Sequence, residues 1–370
     1  MRIGIIGAGQ LGQMLGFAAR DLGVTCIYLD PADAPPAEEC GEVIRRPFDD
    51  EAGLAELATS CDVITYEFEN VPVEALHKIE GKVPIYPPPD ALRHSQDRLD
   101  EKRLFDRLSI PLPGYRAIDS RDDIADAVHA LGLPLVVKTR RLGYDGKGQF
   151  VLREATQIDE AWQALGGTPL IAEQWVPFDY EVSCIGARNA DGDVAIYPLS
   201  RNVHESGILS TSRSPVDAPV LAAKAEDYVR RLLEHLDYVG VLALELFVCG
   251  DQLLANEFAP RVHNSGHWTI EGSVTSQFEN HLRAIMNQPL GATAGLGHAG
   301  MLNLIGEIPP AARSLRNGVL HDYGKSPRPG RKLGHITVTA ETAADRDALL
   351  DEIAETVTGS SQANETGPVA

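Results

Sequence analysis

The opening of the chain constrains its fold more than any other segment. Residues 2–6 form a short apolar run, a glycine-rich turn follows, and residues 11–22 carry apolar side chains at helical spacing before a second apolar run at 24–29. Two parallel strands need a crossover such as a helix between them, whereas a tight turn joins antiparallel strands. The alternation continues to the prolines at 87–89. The sequence therefore predicts an open parallel α/β domain over residues 1–93.

The rest of the 370-residue chain follows a different pattern. Over residues 94–295, runs of strand-forming residues are separated by short turns and by few helices, which indicates an α+β region with antiparallel strands. A smaller domain is predicted over 296–358. The polar residues 359–370 are predicted to be a disordered tail. The expected fold class is thus α/β followed by α+β.

Charge and hydropathy exclude several classes of partner. The sequence carries 33 Lys and Arg against 53 Asp and Glu, a formal net charge of −20. An acidic surface of this size opposes binding to a nucleic-acid backbone or an anionic membrane, although a local basic pocket can still hold a phosphorylated small molecule. No run approaches the ~18 apolar residues of a membrane span, and the first apolar run has the character of a strand rather than of a cleavable signal. A cytoplasmic protein is expected.

The first glycine-rich turn matches a dinucleotide-binding pattern. The turn Gly7-Ala8-Gly9-Gln10-Leu11-Gly12 follows a strand and opens a helix, and Asp30 ends the next strand, where a ribose-binding carboxylate would lie. The physical content of the pattern is narrower, because glycines admit an anion close to the backbone and a helix N-terminus donates free N–H groups to it. The turn therefore indicates a phosphate group more firmly than NAD. A tight turn without a ligand is the alternative.

A second group of residues suits a nucleoside triphosphate. Lys138 ends an apolar strand, and the hairpin Gly143-Tyr144-Asp145-Gly146-Lys147-Gly148-Gln149 follows. The lysine charge and the hairpin amides can together cover phosphates, although such a hairpin alone is more often a plain turn. The strand edge Glu173-Gln174-Trp175-Val176 can pair with a purine through its backbone, and Glu181 can receive ribose hydroxyls. A Walker-type P-loop motif is absent from the sequence.

Glu245 and Glu257 are the most informative pair. Each lies in an apolar strand, and a turn separates the two strands. If the loop is Gly250-Asp251-Gln252, then Cys249 faces Leu253 and Glu245 faces Glu257, with the Cβ atoms of each pair about 4.5 to 5.5 Å apart. Two like charges there repel unless a cation separates them, and oxygen ligands without His or Cys suit Mg²⁺ held between protein and phosphates. A magnesium site is therefore predicted, with a solvent-facing pair as the alternative.

A polar loop follows the second of these strands. It reads Ala259-Pro260-Arg261-Val262-His263-Asn264-Ser265-Gly266-His267-Trp268. Arg261 can hold an anion through two hydrogen bonds, and His263 can transfer a proton or orient the anion. An isolated histidine is usually structural, but a loop joined to paired carboxylates is a favourable place for chemistry.

Taken in order, these motifs resemble the ATP-grasp family, and within it the carboxylating ligases of purine biosynthesis. The resemblance runs from Gly9-Gln10-Leu11-Gly12 through Asp97-Arg98 and residues 143–149 to the segment 257–268 and the turn Pro329-Gly330-Arg331-Lys332. The last two motifs are highly specific. The segment 173–176 is variable in such proteins, so its expected role rests on its backbone.

The resemblance implies a fold and a reaction. The fold has three domains, 1–93, 94–295 and 296–358, with a lid over about 112–173 in the second domain, which is the ATP-grasp domain. The reaction joins ATP, bicarbonate and aminoimidazole ribonucleotide to give the N5-carboxylated ribonucleotide, ADP and phosphate by way of carboxyphosphate. Such an intermediate needs its charge neutralised by Mg²⁺, Lys and Arg rather than a covalent bond to the protein. ATP and Mg²⁺ are the implied cofactors, and a homodimer is the implied assembly.

The resemblance also implies roles for residues at matching positions. Those that would contact ATP are Arg98, Lys138, Lys147, Glu181, His204, Asn256 and Glu257, with the hairpin 143–149 and the segment 173–176. Those that would bind the ribonucleotide are Gln10, Leu11, Tyr144, Arg331 and Lys332, together with either Glu67 or Glu69. Glu245 and Glu257 would hold Mg²⁺. Arg261, His263 and Asn264 would hold bicarbonate as the catalytic residues.

Other functions leave part of this pattern unexplained. An NAD-dependent dehydrogenase would use the first turn but neither the carboxylate pair nor the second glycine-rich hairpin. A nucleotide-binding regulator without activity would have lost a carboxylate or the strand lysine, and both are present. Another ATP-grasp carboxylate–amine ligase, acting on a different amine, is the serious alternative.

Overall fold

The N-terminal part of the chain forms a parallel sheet. Its strands are β1 (Arg2–Ile6), β2 (Thr25–Leu29), β3 (Gly41–Ile44) and β4 (Val63–Tyr66), in the order β3-β2-β1-β4. Apart from their first residues, β1 and β2 are buried throughout, as expected for parallel strands covered on both faces. The parallel α/β organisation predicted for this region is confirmed. Because β1 and β4 pair in parallel, their carboxyl ends place the glycine-rich turn beside residues 67–69.

The structure is a computed structural model that describes residues 1–143 and 148–364, with side chains through residue 357. Its helices are α1 (Gln10–Asp21), α2 (Glu51–Ser60), α3 (Val73–His77), α4 (Pro89–Ser95), α5 (Arg98–Arg107), α6 (Arg121–Leu131), α7 (Ile158–Leu165), α8 (Pro219–His235), α9 (Thr269–Gly272), α10 (Gln277–Ile285) and α11 (Ala343–Asn364). The last helix includes residues 359–364, which the sequence analysis assigned to a disordered tail. Those residues are therefore helical, and residues 365–370 lie outside the described part of the chain.

A small antiparallel sheet forms the middle of the chain. Its strands are β5 (Tyr115–Ile118), β6 (Leu135–Thr139), β7 (Gln149–Leu152) and β8 (Leu170–Gln174), in the order β5-β8-β6-β7. Helices α6 and α7 pack against these strands, and apolar residues between 118 and 172 give the sheet a core of its own. We call this sheet and its two helices the lid. Lys138 lies on β6, where it pairs with Gln149 of β7 and Ile171 of β8.

A nine-stranded sheet carries the rest of the chain. Its strands are β9 (Tyr180–Arg188), β10 (Val194–Ile196), β11 (Ser200–Glu205), β12 (Ile208–Ser214), β13 (Gly240–Cys249), β14 (Gln252–Ala259), β15 (His298–Ile305), β16 (Val319–Asp322) and β17 (Lys332–Ala340). The order is β14-β13-β9-β11-β12-β15-β17-β16, with β10 paired to β9. Every pairing in this sheet is antiparallel, as the sequence predicts. The C-terminal strands therefore extend the same sheet instead of forming a separate one.

One hydrophobic core joins the parallel domain to the nine-stranded sheet. It includes Ile3 and Leu15 from the first domain together with Val241 of β13 and Phe278 of α10, all of them buried. Helix α1 packs directly against α10. The first domain and the large sheet are thus held together by buried apolar contacts, whereas the lid has a separate core.

The hairpin of β13 and β14 confirms one prediction and corrects another. Glu245 is paired with Glu257, as predicted. The predicted loop is wrong, because Cys249 pairs with Gln252 and the loop has only two residues. A β-bulge between Glu245 and Leu246 restores the predicted pairing by leaving Asn256 without a partner on β13. A bulge of this kind re-aims side chains, and here both Asn256 and Glu257 reach the same cleft.

The helices lack the character of membrane spans. Among the described residues, no helix combines the length and the apolar character needed to cross a bilayer.

Candidate active site

A cleft of about 440 Å³ lies between the lid, the nine-stranded sheet and the carboxyl edge of the parallel sheet. The predicted residues that line it are Glu69, Arg98, Lys138, Gly143, Gln149, Trp175, Glu181, His204, Glu245, Asn256, Glu257, Arg261, His263, Asn264 and Lys332. Residues far apart in sequence thus meet in one place, which is the arrangement expected of an active site.

Several predicted residues are not part of the lining of this cleft. They are Gln10, Leu11, Glu67, Gly148, Glu173, Gln174, Val176 and Arg331. The side chain of Leu11 is buried in the core, so any contact it makes with a ligand must come from its backbone amide. Tyr144, Asp145, Gly146 and Lys147 lie outside the described residues.

Glu173 is a buried anion held between two lysines. Lys138 Nζ donates to Glu173 Oε2 at 2.7 Å, and Lys102 Nζ lies 3.8 Å from Glu173 Oε1. Burial alone would raise the pKa of Glu173, but Lys102, Lys138 and Arg98 hold it at about 2. Lys102, which the sequence analysis missed, also donates to the carbonyl of Asn256 in the bulge. The side chain of Glu173 therefore positions Lys138, whereas the sequence analysis expected only a backbone role for this residue.

Two ion pairs hold the carboxylates of the hairpin. Arg98 Nη1 lies 2.9 Å from Glu257 Oε2, and His263 Nε2 lies 3.1 Å from Glu245 Oε1. Burial would raise the pKa of Glu245, but the hydrogen bond from His263 and the charges of His204 and Lys332 hold it below its usual value. Glu257 is thus paired with Arg98, and Glu245 with the ring nitrogen of His263.

His204 and Glu181 form an ion pair on the face of the sheet that the two carboxylates share. Burial lowers the pKa of His204, but Glu181, Glu245 and Glu257 together raise it. Phe178 and Phe247 stack beside them with ring centroids 4.8 Å apart and planes 13° apart. The sequence analysis missed this aromatic pair, because an apolar strand residue such as Phe247 carries no signal that distinguishes a site from a core.

The polar loop after β14 reaches the parallel domain. Arg261 Nη2 lies 2.6 Å from Glu69 Oε1 across the cleft. The side-chain oxygen and nitrogen of Asn264 are buried and have no hydrogen-bond partner among the described residues. An unsatisfied buried amide beside a cationic side chain suits a small polar anion such as bicarbonate.

The first glycine-rich turn encloses a carboxylate of the protein itself. Gly9 N donates to Glu67 Oε1 at 2.7 Å, and a Cβ atom at Gly7 or Gly9 would lie within 2.8 Å of that oxygen. Asp30 Oδ2 accepts from Ala8 N at 2.8 Å, so this carboxylate is bonded to the turn. Gly9 N thus bonds to a carboxylate of the protein itself, and phosphate binding at this turn stays a prediction.

A lysine that the sequence analysis missed lies at this turn. Lys325 Nζ donates to the side-chain oxygen of Gln10. Burial, together with the charges of Arg331 and Lys332, lowers the pKa of Lys325 to about 8, and Glu67 opposes this shift. Three cations and the amide of Gln10 thus meet near the N-terminus of α1. The sequence feature that could have indicated Lys325 is its position a few residues before the specific turn at 329–332.

The lid, the large sheet and the cleft between them define an ATP-grasp enzyme, and residues 103–278 match the family model described as the ATP-grasp domain. Residues 1–96 match the ribonucleotide synthetase preATP-grasp domain, and residues 299–348 match the phosphoribosylaminoimidazole carboxylase C-terminal domain. The chain belongs to the N5-carboxyaminoimidazole ribonucleotide synthases, the ATP-dependent ligases of purine biosynthesis.

Individual relatives are similar over nearly the whole chain. The N5-carboxyaminoimidazole ribonucleotide synthase of Pseudomonas aeruginosa is 49% identical over 357 residues, which cover 96% of this chain and 98% of the relative. The crystal structure of the synthetase from Thermus thermophilus is 48% identical, covers 96% of this chain and 98% of its own, and superimposes with a TM-score of 0.92. The Aspergillus clavatus synthase, solved in complex with ADP and 5-aminoimidazole ribonucleotide, is 33% identical over 96% and 98% of the chains, with a TM-score of 0.89.

Proposed function

We propose that the chain carboxylates 5-aminoimidazole ribonucleotide with bicarbonate at the expense of ATP, through carboxyphosphate, to give N5-carboxyaminoimidazole ribonucleotide, ADP and phosphate. The observation that carries this proposal is the meeting, in one cleft, of Lys138, the Glu245–Glu257 pair and the loop of Arg261, His263 and Asn264. These groups match the needs of phosphoryl transfer to a small anion, which are fixed positive charge and positioning.

The nucleotide half of the cleft suits ATP. Arg98 and Lys138 supply charge for the triphosphate, and Glu181 and His204 supply polar groups for the ribose. The backbone at 173–176 and the stacked Phe178 and Phe247 suit a purine base. The hairpin residues at 143–149, including Tyr144, Asp145, Gly146 and Lys147, would cover the phosphates, and Asn256 would complete the contacts.

Glu245 and Glu257 are proposed as the ligands of Mg²⁺. The two carboxyl groups face each other on one side of the hairpin, and hard oxygen donors suit this ion. The described part of the chain has no cluster of three His, Cys, Asp or Glu side chains arranged to hold a metal, so phosphate oxygens must supply further ligands. When bound, the ion neutralises the charge of the transferred phosphoryl group.

The reaction then follows from the placement of the loop. A bicarbonate oxygen held by Arg261, His263 and Asn264 attacks the terminal phosphorus of ATP, and ADP leaves with the electrons of the broken P–O bond. Carboxyphosphate releases phosphate and CO₂, the substrate amine forms the new N–C bond with the CO₂ carbon, and the amine loses a proton. The lid must exclude water, because water would compete with the amine.

The ribonucleotide would occupy the space between the parallel domain and the C-terminal strands. The amides of Gln10 and Leu11 open α1, and Lys325 lies at that helix end. Arg331 and Lys332 follow on the same side, with Tyr144 from the hairpin. Glu69 faces the cleft and Glu67 lies under the glycine turn, so either carboxylate can meet the substrate.

Some expectations stay part of the proposal. They are the homodimer, the cytoplasmic location and the division into domains at 1–93, 94–295 and 296–358 with a lid at 112–173.

The proposal is tested by ADP release from the purified protein with Mg²⁺, ATP and bicarbonate, with and without aminoimidazole ribonucleotide. We expect ADP release to rise by at least tenfold with the ribonucleotide and the carboxylated product to appear in equal amount. ADP release that does not respond to this amine, or that responds better to another amine, would contradict the proposal.

A further inference from the structure

A path of buried polar side chains runs beneath the carboxylate face of the nine-stranded sheet. Ser212 Oγ lies 2.8 Å from Asn202 Oδ1, Asn202 Nδ2 lies 3.1 Å from Ser183 Oγ, and Ser183 Oγ lies 2.7 Å from Ser265 Oγ. The path ends where Ser265 Oγ lies 2.9 Å from His263 Nδ1. Ser183, Ser212 and Ser265 have no exposed surface and Asn202 is 4% exposed, so these polar groups depend on one another for hydrogen bonds rather than on bulk solvent.

One contact fixes the direction of this path. The backbone N–H of Ser265 points at His263 Nδ1 at 3.3 Å, and a peptide N–H can only donate. Nδ1 must therefore carry a lone pair. In the neutral imidazole the proton then lies on Nε2, which donates to Glu245 Oε1 at 3.1 Å.

The lone pair on His263 Nδ1 sets the donor and the acceptor of every other hydrogen bond in the path. The Ser265 hydroxyl donates to His263 Nδ1, so its oxygen accepts from the Ser183 hydroxyl. Ser183 in turn accepts from the amide NH₂ of Asn202, and the Asn202 carbonyl accepts from Ser212. Along this path every donor faces an acceptor.

We propose that Ser265, Ser183, Asn202 and Ser212 are positioning residues that hold His263 as its Nε2–H tautomer, so that His263 offers a proton donor and not a lone pair to Glu245. The inference rests on the proposed function for the role of His263 in carboxylation. Under it, His263 orients Glu245 and the anion beside it, since a general base would need the lone pair on Nε2.

The tautomer is measured directly by long-range ¹H–¹⁵N NMR of protein labelled in its imidazole nitrogens, with His263→Gln used to assign the signals. We expect His263 to show a protonated Nε2 and an unprotonated Nδ1. A protonated Nδ1 in the wild-type protein would overturn the proposal. This measurement needs no activity, so it is independent of whether the proposed function holds.

Asn202→Asp tests whether reversing the hydrogen bonds at Asn202 changes the protonation of His263 at the other end of the path. A carboxylate at 202 accepts from both Ser183 and Ser212, which turns the Ser183 and Ser265 hydroxyls away from His263. Nδ1 then keeps the Ser265 N–H but loses its shorter hydrogen bond from the Ser265 hydroxyl. We expect the Nδ1 signal to move toward the protonated position. An unchanged Nδ1 signal in a folded variant would overturn the proposal, and Ser265→Ala, which removes the hydroxyl donor but keeps the peptide N–H, gives the same test if Asn202→Asp does not fold.

Kinetics separate positioning from simple packing. We expect Ser265→Ala to lower kcat for ribonucleotide-dependent ADP release by about tenfold or more while the KM for ATP stays within about twofold. Ser214→Ala is the matched control. Ser214 lies on β12, and its hydroxyl is fully buried like that of Ser265, but it donates only to backbone carbonyls. Equal losses of kcat in the two variants would show a general packing effect and would contradict the proposal.

Discussion

At the scale of single residues, Lys138 donates to the buried Glu173 and is proposed to bind the phosphates of ATP. Lys138→Met keeps the apolar stem but deletes the charge, so we expect kcat/KM for ATP to fall by an amount equivalent to about 2 to 4 kcal/mol. The measurement is the rate of ADP formation at varied ATP and at varied ribonucleotide. Saturation by the ribonucleotide should change little.

The control for this variant is Lys224→Met. Lys224 lies on α8 outside the cleft, where it donates to the carbonyl of Asp251, and its replacement should leave both saturation curves unchanged. If Lys138→Met leaves ATP saturation intact and alters only the ribonucleotide curve, Lys138 does not serve ATP.

Lys325 gives a prediction about pH. Its pKa of about 8 lies below that of an ordinary lysine because the side chain is largely buried beside other cations. The ammonium is present below pH 8 and is lost as the pH rises through this value, so the KM for aminoimidazole ribonucleotide should rise between about pH 7 and pH 9. Lys325→Arg keeps its charge over this range and should flatten the rise.

A KM for the ribonucleotide that is constant over this range in the wild-type protein would place Lys325 away from the substrate. Equal pH dependence in the wild-type and Lys325→Arg proteins would assign the titration to another group.

At the scale of elements, α10 holds the polar loop through one side chain. Gln277 Oε1 accepts from His263 N at 3.0 Å, and Gln277 Nε2 donates to His263 O at 2.7 Å, in a wholly buried position. Gln277→Leu leaves both backbone groups unsatisfied, so we expect the free energy of unfolding to fall by about 1 to 3 kcal/mol for each group. Urea denaturation measures this loss.

Gln288→Leu is the matched substitution, because Gln288 is exposed just after α10. It should change the free energy of unfolding by no more than about 0.5 kcal/mol. A similar loss in both variants would mean that Gln277 does not stabilise the loop through these bonds.

Elements with a strong apolar period were predictable, and elements built on buried polar groups were not. The sequence predicts β1, α1 and β2 almost to the residue, because their apolar spacing is regular. It misses β11 and β12, where Asn202 and Ser212 are buried as partners of each other and give no hydrophobic alternation. The hydrogen bonds that permit the burial of these side chains come from other strands, which the local sequence pattern cannot reveal.

The site was predictable where several motifs pointed to one chemistry. The Glu245–Glu257 pairing was correct although the loop length was wrong, because the bulge at Asn256 compensated for the error. Nothing in the sequence marks that bulge. The side-chain role of Glu173 was also hidden, since its two lysines come from α5 and β6 and meet it only in the folded protein.

At the scale of the whole molecule, ligand binding should raise thermal stability selectively. Glu67 bonds the amide of Gly9 and Asp30 bonds the amide of Ala8, so the turn has no room for a dinucleotide pyrophosphate at these groups. We expect aminoimidazole ribonucleotide to raise the melting temperature and excess NADH to leave it unchanged. A saturable NADH shift at micromolar concentration would contradict the assignment of this turn.

The shared core of the parallel domain and the nine-stranded sheet has a consequence for the order in which substrates bind. Because α1 and α10 are packed together by buried apolar residues, the groups proposed for the ribonucleotide, such as Gln10 and Lys325, are assembled before any nucleotide arrives. Lys138, in contrast, belongs to the lid, which has its own hydrophobic core. The enzyme should therefore accept the ribonucleotide without waiting for ATP, and kinetic schemes that make ATP an obligatory first substrate should fail to describe it.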